Sequence, residues 1–222
     1  MTHDPGMYPK RLIADEARQW GIVLAPMDIN LSDRTHRVER TTDMTRAPYL
    51  APDHASTGKS LLLPDARGYA IRLALADVDG ISENEIESII AARPYADLAD
   101  FVYRSGTSQP TTESLIMVGA FDALHRLSDE KINRRDLLLH LQDLAQSVSS
   151  SSKKKSAPSQ ILLDLAPPDL LPSGLPQLTS SEVLAHEVEI LGMDISHHIL
   201  DSYADFLNHI GAIKSSDLIK QR

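Results

Sequence analysis

Residues 71–104 read IRLALADVDGISENEIESIIAARPYADLADFVYR, and the middle of this stretch decides how the chain folds. Asp79-Gly80-Ile81-Ser82 is a tight turn: Gly80 tolerates backbone angles closed to other residues, and Ile81 supplies an apolar anchor pointing inward. Ser82 and Glu85 have the spacing of a capping box, so a helix starts there. Ile86, Ile89 and Ile90 form its apolar face and Pro94 closes it. Before the turn, Ile71, Leu73 and Leu75 alternate with Ala70, Arg72 and Ala74, the period of a half-buried strand or an extended lead-in. After it, Asp97 is placed to cap a second helix with Leu98, Phe101 and Val102 on one face. In such a hairpin successive backbone N–H groups face outward, and with the unpaired N–H groups of the following helix they suit a phosphate. Taken alone, Gly80-Ile81-Ser82 is also simply a turn between packed helices.

Working outward, Thr111 or Thr112 is placed to cap a third helix carrying Leu115, Ile116 and Val118, and Ser128 to open the longest one. In the latter, Leu137, Leu141, Leu144 and Val148 keep one apolar stripe. From Ser147 to Pro158 a run of serines and lysines is too poor in apolar residues to pack and reads as a flexible linker. Beyond a proline-rich stretch, Thr179 and Glu182 repeat the capping box, Leu184, Val188 and Leu191 share a face, and Gly192 ends the helix. Tyr203, Phe206, Leu207 and Ile210 predict a final helical turn or two. Toward the N-terminus, Pro9 opens a helix with Ile13, Ala17 and Trp20 that Gly21 stops, and Ile22 to Ala25 reads as a short buried strand. Residues 32–58 show no sustained period and are expected to be an irregular connection without a site. The expected fold class is mainly α: a helix-hairpin-helix bundle with a small α/β portion at the N-terminus and a flexible linker.

Composition narrows the function classes. A hydrophobic share of 42% over 222 residues supports one or two compact domains. No cysteine is present, which excludes disulfides and cysteine-ligated zinc and fits a reducing compartment, so the cytoplasm is the expected location. No stretch approaches the roughly 18 apolar residues of a membrane span, and MTHDPGMYPKRL lacks the apolar core of a signal peptide. A soluble chain without a membrane partner is expected. The net charge of -9 opposes diffuse nucleic-acid binding, and within residues 71–104 three arginines face seven acidic residues. A DNA contact would therefore rest on oriented N–H groups together with Arg72, Arg93 or Arg104. Asp77 and Asp79 have an Asp-X-Asp spacing but stand at the mouth of the hairpin and read as solvent-facing. His186, His197 and His198 with Asp194 match no familiar ligand spacing, so no metal site is expected. Neither a nucleophile elbow nor a phosphate-binding P-loop occurs, and no residue is assigned a catalytic role.

The longer strings carry a family resemblance. Residues 71–104, followed by LIMVGAFDAL at 115–124, resemble the helix-hairpin-helix region of bacterial C-family DNA polymerase III alpha subunits. MYPKRLIADEARQWGIVLAPMDIN at 7–30 is similar to the fingers segment upstream of that hairpin. NRRDLL at 133–138 resembles the text after the family's GAFD, and EVEILGMDISHHILDSY at 187–203 its LG-hydrophobic-HP-Y region. DISHHILDSY and the closing IGAIKSSDLIKQR are most like the error-prone, damage-induced branch. Two departures stand out: Ser82 replaces a common second glycine, and His198-Ile199 stands where many members have His-Pro.

The resemblance implies a division into the end of the fingers (1–65), a helix-hairpin-helix DNA-binding region (66–148), a flexible linker with a clamp-binding peptide (149–178), and a helical segment (179–222) leading toward an oligonucleotide-binding barrel that this sequence lacks. It implies a non-catalytic DNA-binding part of a polymerase serving DNA replication and the repair of DNA damage. The palm aspartates and their magnesium would lie upstream, leaving this chain without a cofactor and inactive alone. Duplex DNA is the implied partner, held by Gly80, Ile81 and Ser82 with the three arginines, and a separately encoded catalytic portion is a second. Gln160-Ile161-Leu162-Leu163-Asp164-Leu165 resembles the glutamine-led peptides that grip the sliding clamp, which implies clamp contacts at Gln160, Ile161, Leu163 and Leu165. The same leucines also suit plain core cover. A rival reading, supported by the acidic balance, is a protein-interaction scaffold that touches no DNA.

Overall fold

The computed structural model describes residues 8–42, 66–127, 131–153 and 169–213. Pro9 is the N-cap of α1 (Lys10–Gln19), which leads through Gly21 into β1 (Val23–Ala25). Strands β2 (Arg37–Arg40) and β3 (Tyr69–Arg72) complete a small sheet in the order β1-β3-β2, with β1 parallel and β2 antiparallel to the central strand. The chain then passes a single 3-10 turn (Leu75–Asp77), the Asp79–Ser82 hairpin and α2 (Glu83–Ala91). Five further helices follow: α3 (Leu98–Ser105), α4 (Gln109–Met117), α5 (Asp122–His125), α6 (Arg134–Lys153) and α7 (Ser180–Leu191). A 3-10 turn (Ile199–Tyr203) and α8 (Ala204–His209) end the described residues. The architecture is mainly α, as expected.

Strand β2 lies inside residues 32–58, which were expected to be irregular. Three of its four residues are exposed, so no alternation advertises it; its register comes from hydrogen bonding to β3. The sheet also joins residues on both sides of position 65/66, so that division of the sequence runs between two paired strands.

Three boundaries move for identifiable reasons. The cap of α4 is Ser108, which accepts the Thr111 N–H, and not Thr111 or Thr112; Pro110 fits the first turn, where no N–H is needed. Helix α6 starts after Asn133, whose side-chain oxygen accepts the N–H groups of Arg135 (2.8 Å) and Asp136 (3.2 Å), while the Asp136 carboxylate takes the Asn133 N–H at 2.8 Å. Ser128, expected to open it, is outside the described residues. The same helix continues to Lys153, into the segment expected as linker, because serine and lysine do not prevent a helix already nucleated by a packed leucine stripe. Residues 169–178 are docked: the buried Asp136 carboxylate accepts the Ser173 N–H at 2.9 Å and its hydroxyl, and Asn133 donates to the Leu175 carbonyl at 2.9 Å. Gln160, Ile161, Leu163 and Leu165 lie outside the described residues.

One apolar core runs from Ala14 and Leu24 through α2, α3, α4 and α6 to Leu191, Met193 and Ile195. At its centre Phe101 stacks edge-on against both Tyr95 and Phe121, with ring centroids 5.0 Å apart in each pair. Gly119 is buried at φ +84, and a Cβ there would fall 2.4 Å from Arg134 Nη2. The missing side chain lets Arg134 reach Asp122 (2.6 Å) and the Met117 carbonyl (2.6 Å), tying the start of α6 to the end of α4. This is the physical link between the GAFD and NRR strings.

Two histidines make stability depend on pH. His125 Nε2 accepts the Leu98 N–H at 3.1 Å, and burial pushes both His125 and His140 below the ordinary 6.5, against the pull of nearby aspartates including Asp97. Below 6.5 the unfolded chain binds protons that the folded chain refuses, so this contribution is full above that pH and is lost as the pH falls. The urea midpoint is expected to drop steadily from about pH 7 to about pH 5, and His140→Gln to remove part of the slope. Carboxylates held low, Asp77, Glu85 and Asp136, add losses only further into acid.

Candidate nucleic-acid interface

The hairpin turn has the conformation its sequence requires. Gly80 sits at φ +78 with nothing within 4 Å of where a Cβ would point, so the turn faces open space. Ser82 caps α2 with the full box: its hydroxyl accepts the Glu85 N–H (3.3 Å) and Glu85 takes the Ser82 N–H (2.9 Å). The second Glu85 oxygen accepts the Ser108 N–H at 2.9 Å, so one carboxylate organises the start of α2 and the start of α4. Burial pushes Glu85 up, but the N–H groups of Ser108 and Ser82 and the hydroxyls of Ser82 and Thr111 outweigh it and hold the carboxyl at about 2.

These bonds reduce the set of outward donors. Asp79 donates its N–H to the Ile190 carbonyl (2.9 Å), which pins the turn to the end of α7, and Ile81 donates to the Val78 carbonyl (3.3 Å). Ile81 is half-buried against the core, as an anchor should be. Among the described residues the N–H groups of Gly80, Glu83 and Asn84 have no acceptor. The N–H groups left open at the turn are therefore those of Gly80, Glu83 and Asn84, whereas those of Ile81 and Ser82 are engaged within the protein. The side chains around it are acidic: Asp79, Glu83 and Glu87 are exposed, and Arg34 pairs with both glutamates, reaching Glu87 at 3.7 Å.

The three arginines expected to supply charge are each committed elsewhere. Arg72 makes a two-pronged pair with Glu39 (2.7 and 2.8 Å) and donates to the Pro26 carbonyl (3.0 Å), fastening β2 to β3. Arg93 donates to the carbonyls of Ile29 (2.7 Å) and Ser32, while Asn30 exchanges hydrogen bonds with the Tyr95 backbone; together they clasp the 28–32 turn to the segment after α2. Arg104 lies over the Tyr95 ring, pairs with Asp100 at 2.7 Å and donates to the carbonyls of Pro94 and Ala92, placing a cation at the C-terminal end of α2. Residue spacing shows only the i,i+4 pair of Arg104 with Asp100, because the other partners come from segments more distant in sequence.

Asp77 is corrected from solvent-facing to buried. Only 7% of it is accessible, and it is bound by Lys10 Nζ at 2.9 Å and by His36 Nε2 at 2.7 Å. Burial pushes its carboxyl up, but His36 and Lys10 prevail and hold it below the ordinary range. Asp79 is exposed, as expected. Asp15, Asp194 and His198 bring potential ligand atoms within 4.8 Å of one another, but the Arg18 guanidinium already meets the Asp15 carboxylate at 2.8 Å and that of Asp194 at 3.4 Å. No helix among the described residues is long and apolar enough to cross a membrane.

Comparison with known proteins agrees with this geometry. The helix-hairpin-helix motif family matches residues 21–137, more than half of the chain. The chain is 29% identical to the error-prone DNA polymerase of Symbiobacterium thermophilum, over 98% of its own length and 21% of the relative's. It is 31% identical to the DNA polymerase III subunit alpha of Neisseria meningitidis (93% and 16%), and 26% identical to that of Chlamydia pneumoniae (93% and 17%). The chain thus spans about a fifth of the length of the curated relatives it matches. Both polymerase branches are represented among them. The chain belongs to the helix-hairpin-helix motif family, in the form carried by the C-terminal region of C-family DNA polymerases.

Proposed function

We propose that this chain is a non-catalytic DNA-binding part of an error-prone polymerase of the DNA polymerase III alpha type, acting in replication past damage and gripping duplex backbone through its hairpin. The observation that carries the reading is the Gly80 turn: open to solvent, in a left-handed conformation, with the free N–H groups of Gly80, Glu83 and Asn84 gathered at one helix start. Binding through N–H groups alone is independent of sequence, modest and salt-sensitive. The fingers portion holds the segment after α2 through Arg93, and α7 holds the turn through the Ile190 carbonyl. A separately encoded catalytic portion supplies the chemistry, and the sliding clamp is a further partner through Gln160, Ile161, Leu163 and Leu165.

Two measurements check this. Gly80→Asp is expected to weaken binding of labelled blunt duplex at low salt by at least about tenfold, because it sets a carboxylate beside the phosphate at a position whose conformation aspartate tolerates. Gly80→Asn makes the same backbone demand without the charge and is expected to bind nearly as well as the parent. Separately, Leu163→Ala or Leu165→Ala is expected to weaken the clamp complex by over about 1 kcal/mol in calorimetry. Equal clamp affinity in both variants removes that partner.

The acidic rim of Asp79, Glu83 and Glu87 favours a second reading, a scaffold that contacts protein and not DNA. A chain that ignores duplex even at low salt decides for it.

A further inference from the structure

Residues 34–40, RTHRVER, hold three arginines and one glutamate in a chain of net charge -9. The single glutamate, Glu39, is neutralised by the two-pronged pair with Arg72. Arg37 and Arg40 are exposed and make no ion pair among the described residues. This local excess of positive charge falls on β2, an edge strand of the sheet.

The antiparallel register sorts the side chains. Val38 stands opposite Ile71 and Arg40 opposite Tyr69, so these four share one face. Arg37, Glu39, Ala70 and Arg72 share the other, where Ala70 is buried. On the first face Ile71 packs against the core, and the remainder is open: Val38 is 73% and Tyr69 43% accessible, and the Arg40 guanidinium lies 6.0 Å from the centre of the Tyr69 ring. A partly exposed aromatic ring beside an arginine that makes no ion pair among the described residues, on a hydrogen-bonded sheet, is the composition of a base-stacking platform. A duplex hides its base faces within its own stack, whereas a single strand offers both π-faces and phosphates.

We propose that the open face of β2 and β3 binds single-stranded DNA, with Tyr69 stacking a base, Val38 extending the apolar surface, and Arg40 taking a flanking phosphate. The choice of DNA rests on the DNA-binding reading above, but the surface and the ligand differ from it. The hairpin addresses duplex backbone, and the sheet an unpaired strand.

The test uses the full 222-residue chain. Anisotropy of a labelled oligothymidylate of about 12 nucleotides is compared with that of a blunt duplex across a salt series. Tyr69→Ser and Arg40→Glu are each expected to weaken oligothymidylate binding about tenfold, and Tyr69→Phe, which keeps the ring, to retain it. Arg40→Gln is expected to reduce the salt slope by about 0.7, the loss of one phosphate contact on a single strand. Thermal melts equal to the parent's show that the variants fold, as substitutions at exposed positions should. Oligothymidylate binding left intact by Tyr69→Ser and Arg40→Glu overturns the proposal. A chain that binds duplex but no oligothymidylate also overturns it while leaving the hairpin reading standing, and a chain that binds neither removes both.

Discussion

Phe101→Ala is expected to lower the unfolding free energy by about 4 kcal/mol, read as a fall in the urea midpoint without a change of slope. The side chain is fully buried, and its ring is gripped edge-on by Tyr95 and Phe121, so truncation removes both transfer free energy and two aromatic contacts. The cavity has little means of collapsing. Tyr95 donates its hydroxyl to the Ile89 carbonyl at 2.9 Å, and its backbone is held by Asn30. Phe101→Leu keeps most of the volume and is expected to cost about 1.5 kcal/mol. A variant with alanine that unfolds at the parent's midpoint contradicts the role of this stack as the centre of the core.

Glu187→Ala is expected to cost about 3 kcal/mol at neutral pH, because Glu187 stands on the buried face of α7 with Leu184 and Leu191 and its carboxylate is the acceptor for a neighbouring loop. Glu187 is 4% accessible, and its carboxylate accepts the N–H groups of Ile195 (2.8 Å) and Ser196 (3.0 Å) and the Ser196 hydroxyl (3.1 Å). Truncation leaves a buried donor without an acceptor. The effect should spread, because the loop held by Glu187 in turn receives Arg18 from α1 on the carbonyls of Asp194 and Ile195. Hydrogen exchange is expected to accelerate at the Ile195 and Ser196 amides first. Glu187→Gln keeps one acceptor oxygen but turns an amide toward donors, so an intermediate loss is expected. Unchanged exchange at those two amides in the alanine variant would show that the carboxylate does not organise the loop.

Legibility varied with the range of the interaction. The capping boxes at Ser82 and Thr179 and the cap at Asp97 are visible as spacings of three residues, because donor and acceptor both belong to one helical turn. Strand β2 was not visible, since an exposed edge strand has no buried alternation to display. Within the candidate interface, the turn at Gly80 was legible and its donors only in part. Glu85 satisfies Ser82, and Ile190, more than a hundred positions away, satisfies Asp79. Arg34, Arg37 and Arg40 form a visible charge run, but its meaning depends on Tyr69 lying opposite Arg40, a matter of strand register.

The order of residues along the chain carries the mainly helical class, the hairpin with its glycine, the starts of α1, α2, α3 and α7, and the kinship with C-family polymerases written in long ordered strings. Those properties are local, or are written in the order of residues along the chain. It takes the folded chain to show that Arg72, Arg93 and Arg104 are engaged as clasps within the protein, that Asp77 is buried between Lys10 and His36, and that residues 169–178 dock on α6. A charged side chain buried in a fold must find its counter-charge or acceptors wherever packing brings them, and that partner is set by the closure of the whole core rather than by neighbours in sequence.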